Sequence, residues 1–260
     1  VLPASVREPA CALYAFCRDA DDAVDQGADA TQAVAALRTR LDHIYAADAA
    51  RLDAHVADRA LASVVRRFGI PRAMLDALIE GFEWDAQGRR YDTLEDVCDY
   101  AARVAGSVGA MMALLMGVRE PQALARACDL GVAMQLSNIA RDVGEDACMG
   151  RLYLPRAWLC EAGLDPDTWL REPRFSPALA LVVQRLLAAA DALYRRVDAG
   201  VARLPLACRP GINAARFLYA DIGQEVLRRG GDSVAQRAVV SGTRKSWLLL
   251  VALCRVLPSS

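Results

Sequence analysis

Histidine is almost missing from this sequence: only His43 and His55 occur in 260 residues. Neither has a glutamate three residues before it, which excludes the paired Glu-x-x-His ligands of a di-iron bundle. The eight cysteines never form a Cys-x-x-Cys pair. Cys11, Cys17, Cys98, Cys128, Cys160 and Cys254 stand singly among apolar neighbours, which predicts small buried hydrophobes in a reducing, cytoplasmic compartment. Long hydrophobic runs are lacking too. The longest, Trp247 to Cys254, falls far short of the roughly 20 residues that a membrane-spanning helix needs. Aromatic residues make up 6% of the chain and the net charge is -1, with a pI near 6.2. Such a balance offers nothing to a nucleic acid. No signal peptide is visible, and the chain starts at Val1 without an initiator methionine, so a preceding segment is expected to be missing.

What is present is apolar and helical. Hydrophobic residues are 55% and charged residues 24%, enough to bury a substantial core. Alanine and leucine dominate, and strand-like alternation is hard to find. Apolar spacing and punctuation predict helices over 9–26, 30–48, 54–68, 71–82, 93–117, 121 to about 150, a short one after Pro155, and then 177–203, 211–229 and 233–256. Asp92 and Glu95 are placed as a capping box, 84–92 reads as a polar loop, and 163–177 as a linker. With no repeat and no clean boundary, the expectation is one all-α domain, a helical bundle over 1–260. Gly106 and Gly109 stand inside a predicted helix, where glycine costs about 1 kcal/mol against alanine. Close helix packing, or a kink or flat surface beside a large ligand, accounts for them equally well.

Two helices carry acidic stripes. In YAFCRDADDAVD, Tyr14, Arg18, Asp21 and Asp25 are spaced four, three and four apart, with Asp22 adjacent. In QLSNIARDVGEDACMGRLYLP, Gln135, Asn138 and Asp142 repeat nearly that spacing and lead to Glu145 and Asp146. Either stripe alone suits an ordinary solvated helix face. As a pair they are harder to explain so, because carboxylates clustered without interleaved lysines repel one another unless a cation is present. Oxygen-only donors favour Mg²⁺, Mn²⁺ or Ca²⁺ over zinc or copper. An EF-hand does not fit, since Val24 occupies its glycine position and Ala30 its twelfth. Mg²⁺ is usually held by a few carboxylates together with substrate phosphates. Arg18 and Arg141 could contact phosphate oxygens, or simply pair with the neighbouring aspartates.

These two motifs resemble the aspartate-rich signatures of the squalene/phytoene synthase family, the head-to-head synthases of isoprenyl diphosphates. LIEGFEWD, RRYDTLEDVCDYAARVAGSVG and FLYADIG match as well, so the resemblance spans nearly the whole chain. It implies an isoprenoid-synthase-type fold with a central cavity and Mg²⁺, or Mn²⁺ in its place, as cofactor. By motif, Asp21, Asp25, Asn138, Asp142 and Asp146 would be metal ligands, with Asp22 and Glu145 as further members. Arg18, Gln135, Asn138 and Arg141 would line the diphosphate sites, and Arg237 and Lys245 would close them. Tyr14, Tyr100 and Tyr219 match family tyrosines near the reacting carbons and the departing diphosphate. The small-residue stretch from Gly106 to Met112 would face a long polyprenyl tail.

The implied activity is condensation of two geranylgeranyl diphosphates to phytoene through a cyclopropylcarbinyl diphosphate. Without a nucleotide-binding glycine motif, no NADPH is expected. The same chemistry on farnesyl diphosphate, giving dehydrosqualene, presqualene diphosphate or squalene, is the alternative. A non-catalytic prenyl-lipid-binding or assembly protein is the alternative of another class. Greasy substrates and products imply peripheral attachment to the inner face of the membrane and a desaturase that takes up the product. The chain also departs from the family pattern, because the segment before the first acidic helix is absent.

Overall fold

A computed structural model describes residues 2–26, 30–46 and 56–254. Among the described residues the elements are helices, with no strand. The first four pack on one another: α1 (Ala4–Gln26), α2 (Ala30–Ala46), α3 (Val56–Phe68) and α4 (Arg72–Ala86). Their cause is periodic burial. Leu13, Phe16, Ala20 and Val24 of α1 are buried three and four residues apart, as are Val34, Leu37, Leu41 and Ile44 of α2. Gly69 ends α3 at φ 62, in the left-handed region that glycine enters without a Cβ penalty.

α5 (Leu94–Ala101), a π-helical turn (Ala102–Gly106) and α6 (Ser107–Leu115) form one interrupted rod. It lies against α7 (Pro121–Arg141), which also packs on α11 (Pro177–Val201) and α12 (Arg209–Arg228). Short helices α8 (Val143–Cys148), α9 (Arg156–Glu161) and α10 (Pro166–Arg171) link α7 to α11, and α13 (Gly242–Cys254) packs on α12. By length and composition α11 could cross a bilayer, yet Leu179, Val183, Leu186 and Ala190 are buried in the protein core.

The internal glycines serve close helix packing, and a change of winding accompanies it. A Cβ on Gly109 would stand 2.3 Å from the Ala127 carbonyl oxygen, and one on Gly106 would stand 2.7 Å from the Cys128 sulfur. Gly131 answers from α7, where a Cβ would come within 2.3 Å of the Ala105 oxygen. The rod and α7 thus touch backbone to backbone, and the rod changes winding just there.

Several expectations are corrected. The capping box is Thr93 with Asp96, not Asp92 with Glu95: the Thr93 hydroxyl accepts from the Asp96 amide, and Asp96 accepts from Thr93. The helix expected over 71–82 continues to Ala86, so Asp85 is helical. The linker 163–177 contains α10, capped by Asp165. The helix over 121–150 breaks at Asp142, which sits at φ -102 and ψ 15. The last helix begins at Gly242, not at 233. Gly230 and Gly231, at φ 70 and 81, end α12, and the Asp232 carboxylate then accepts from the amides of Val234 and Ala235 as a turn. Cysteine burial also differs. Cys208 is buried, but Cys11, Cys148, Cys160 and Cys254 are exposed, and all eight thiols are free. His55 lies outside the described residues.

Candidate active site

A cavity of about 370 Å³ runs between the rod, α7, α11 and α12. Its walls are largely alanine, glycine, valine, leucine and methionine, including Val104, Val108, Gly109 and Met112 from the small-residue stretch. Among the lining residues Arg126 carries a charge, and Asp129 neutralises it at 2.7 Å. At one end Gln135, Asn138 and Tyr219 enter the lining, and there the acidic stripe begins.

The stripe survives the helix break. The Asp142 amide donates to the Asn138 carbonyl at 2.8 Å and the Asp146 amide to the Asp142 carbonyl at 2.8 Å, so Asp146 stands one turn beyond Asp142. Gly144 makes the neighbouring approach possible. A Cβ on it would lie 2.4 Å from the Val234 oxygen, and its amide donates to the Ser233 carbonyl at 3.0 Å. The segment after α12 is thereby pressed onto α8 and brings Arg237 to the stripe. The Asp142 carboxylate is gripped on both sides, by Arg141 at 2.5 Å and Arg237 at 2.8 Å, and Arg237 also reaches Glu145 at 3.5 Å. Tyr219 acts electrostatically on the Arg141 guanidinium.

Asp146 shows what this crowding does. Burial, and then the charges of Asp142, Asp85 and Glu145, push its carboxyl from the ordinary 3.8 up to about 7, with Arg151 opposing. Asn138 adds a second sign of an unfilled requirement: its Oδ1 is buried with no hydrogen-bond partner. Such an oxygen is costly to bury unless something binds it. An orphaned amide oxygen beside clustered carboxylates is a donor set that fits a hard divalent cation. Asn138, Asp142, Asp146 and Glu145 would hold it. Among the described residues no three acidic, histidine or cysteine side chains converge tightly enough to hold a metal alone. A phosphate ligand would complete the shell.

Asp85 is the functional candidate that sequence reasoning missed. Its carboxylate accepts from the Tyr100 hydroxyl at 2.8 Å and from the Tyr153 hydroxyl at 2.6 Å. The two rings stack with centroids 4.9 Å apart, and Tyr91 packs against both. Burial, and then the Asp85 charge, raise both phenol pKa values. The available signal was the aspartate of LIEGFEWD, set aside as the edge of a polar loop.

The comparisons with known proteins decide the family. The family model described as Squalene/phytoene synthase matches residues 1–244. The phytoene synthase of Cereibacter sphaeroides is 54% identical over 263 residues, covering 97% of this chain and 73% of the relative. The phytoene synthase of Rhodobacter capsulatus is 55% identical over 252 residues, covering 96% and 74%. The chain belongs to the squalene/phytoene synthase family. A dehydrosqualene synthase crystal structure superposes on it with a TM-score of 0.87 at 30% identity, covering 98% of this chain and 88% of that one. A squalene synthase from Alicyclobacillus acidocaldarius does so at 0.80 and 26%, covering 88% and 85%. The isoprenoid-synthase fold expected from the motifs is therefore the one found.

Not every expected residue of the family site is gathered at the cavity. Gln135, Asn138, Arg141, Asp142, Glu145, Asp146, Tyr219 and Arg237 are at or beside its acidic end, and Tyr100 is held by Asp85, whose charge acts on Asp146. The first stripe lines no part of the cavity among the described residues. Tyr14 is 66% exposed, Arg18 turns to Asp22 at 3.1 Å, and Asp21 is exposed. The Asp25 side chain lies outside the described residues. Lys245, the chain's single lysine, is exposed on α13.

Two outcomes are expected. Asp146 binds its proton more tightly in the folded chain than in the unfolded one, so folding loses stability as pH rises from about 4 to about 7, and the penalty is complete above that. Without divalent cation, Asp146→Asn should therefore flatten the fall of the melting temperature across this window. Parallel curves for variant and wild type would refute the assignment. Asp85→Asn replaces one of the two oxygens that each accept from a phenol by an NH2 donor, and should lower kcat by about 10–100-fold, as loss of an outer positioning partner does. Steady-state kinetics on a protein of unchanged helix content checks it. Combining it with Tyr100→Phe should add little further loss.

Proposed function

We propose that this protein condenses two geranylgeranyl diphosphates head to head into phytoene, the entry reaction of carotenoid synthesis. The observation that carries the proposal is an apolar cavity ending in Asn138, Arg141, Asp142, Asp146 and Arg237, in a chain more than half identical to curated phytoene synthases. The substrates are prenyl diphosphates, and the family's chemistry uses a divalent metal, for which Mg²⁺ suits the oxygen donors best.

The bound cation supplies charge neutralisation at the departing diphosphate. The rest falls to the chain's own residues. Arg141 and Arg237 hold phosphate oxygens once they exchange Asp142 for the substrate, adding charge-assisted donors where negative charge develops. Gln135 and Asn138 orient the diphosphate at the cavity mouth. Tyr219 and the Tyr100–Asp85 pair border the reacting carbons. The walls exclude water, so the allylic cation meets the double bond of the second substrate rather than a hydroxyl. Ring closure with loss of a proton gives a cyclopropylcarbinyl diphosphate, and departure of its diphosphate, rearrangement and loss of a second proton give the linear product. From the first stripe, Asp21 and Asp25 serve the second diphosphate, with Arg18 and Tyr14 beside them. Lys245 closes the site.

The enzyme works at the cytoplasmic face of the membrane, attached peripherally, and passes its product to a desaturase. Exposed Trp247, Leu250 and Leu253 on α13 support this. Such an amphipathic helix lies in the headgroup region of a bilayer.

Purified protein with Mg²⁺ should convert geranylgeranyl diphosphate to a C40 hydrocarbon identified by mass spectrometry. Asp142→Asn should lose all but about a thousandth of that rate, the scale of removing one charge-stabilising group. Turnover of farnesyl but not geranylgeranyl diphosphate would overturn the phytoene assignment. In flotation with anionic vesicles, Leu250→Asp should weaken attachment by about tenfold or more, given the cost of burying a charge. Equal flotation of variant and wild type would remove α13 from the contact.

A further inference from the structure

We infer that Asp221, buried beneath α13, is a positioning residue for the diphosphate end: through Arg244 it fixes the segment that brings Arg237 to Asp142. The inference rests on the prenyl diphosphate reading of the site and assigns part of its geometry to a carboxylate outside the cavity lining.

Arg237 stands on a stretch with little of its own to hold it. Among the described residues, none from 235 to 240 makes a backbone–backbone hydrogen bond. One exposed bond, from the Arg229 guanidinium to the Arg237 carbonyl at 3.2 Å, ties its middle to the end of α12. Arg237 and Val239 are exposed and alternate with buried Ala238 and Val240, as side chains of an extended chain do. A slip of one residue would turn Arg237 inward and away from Asp142. The register therefore depends on where the two ends of the stretch are fastened. The first end is the contact of Gly144 with Ser233 and Val234.

The second end is α13. Residues 238–241 alone separate Arg237 from its start at Gly242, a tether too short to absorb a shift of the helix. Of the α13 side chains Leu248 and Ala252 are buried, whereas Trp247, Leu250 and Leu253 face outward. Two apolar contacts leave such a helix free to slide or turn, because apolar attraction is not directional. The Asp221 carboxylate supplies the direction. It accepts from Arg244 Nη2 at 2.8 Å and from Arg244 Nε at 3.1 and 3.2 Å, a forked contact of fixed geometry. Arg228 of α12 approaches it at 3.5 Å. Asp221 is only 4% exposed, and a carboxylate buried without its partner is costly. The pair thus holds α13 at one place along α12. That helix serves the site from two sides: Tyr219 enters the cavity lining, and Asp221, two residues on, binds α13.

The test measures binding of inorganic diphosphate, with Mg²⁺, by titration calorimetry. Asp221→Asn keeps the shape of the side chain but loses its charge and one acceptor oxygen. It leaves Arg244 half exposed, so the fold should survive. Diphosphate binding should weaken by about tenfold or more, as on loss of an outer positioning partner. In an Arg237→Gln background the same substitution should change the affinity little, because a residue that acts through Arg237 has nothing left to position. Circular dichroism establishes that each variant is folded. If Asp221→Asn is not, Arg244→Gln severs the pair from its exposed side and decides by the same comparison. Equal losses in both backgrounds, or no loss in the folded variant, would reduce the pair to a fastening of α13 and overturn the inference. Wild type that binds no diphosphate would instead refute the substrate reading itself.

Discussion

Two helix backbones meeting without side chains between them set the geometry of this protein. Gly106 and Gly109 on one side and Gly131 on the other let the interrupted rod and α7 approach until carbonyl oxygens lie where methyl groups would otherwise stand. Interiors pack at crystal-like density, so such a contact fixes its neighbours. It sets the rotation of α7, and that rotation turns Gln135 and Asn138 into the cavity while Leu136 and Ile139 enter the core. The π turn begins directly after Ala101, two residues past Tyr100, so the rod changes winding between the phenol network and the apolar wall.

The second organising force is electrostatic. Asp142, Glu145, Asp146 and Asp85 crowd together at the end of an apolar cavity, where solvent screens charge poorly. The protein tolerates this in three ways. It clasps Asp142 between two guanidiniums, gives Asp85 two phenol donors, and leaves Asp146 partly protonated. Each device satisfies a carboxylate in the folded chain. Acids and arginines interleave at this end because each guanidinium lies where it offsets a carboxylate.

Much of this was legible in the residues. Helical periodicity located the buried faces of α1 and α2 because their cores are local and regular. The second acidic stripe was readable because i, i+3 and i+4 spacing survives the break at Asp142. What could not be read depended on contacts between distant segments. The helix expected at 233 is displaced by an Asp232 turn and by Gly144 receiving Val234, a meeting of residues some ninety positions apart. Asp85 gains its meaning only when Tyr100 and Tyr153 come together over it. The capping box shifted by one because Asp92 and Thr93 are both good caps, and the three-residue reach of Thr93 to Asp96 is the one that closes. Exposed cysteines were misjudged because a cysteine among apolar neighbours in sequence can still point outward from a helix.

The cavity has one rigid boundary and one adjustable boundary. Along the glycine contact, a methyl group on Gly109 or Gly131 would collide with backbone, so no larger residue enters there without moving a helix. At the far end, alanine, leucine and methionine meet through side chains alone, and exchanges among residues of this kind preserve the fold. A change of side chain at the far end therefore leaves in place the backbone contact that carries Gln135 and Asn138 into the cavity.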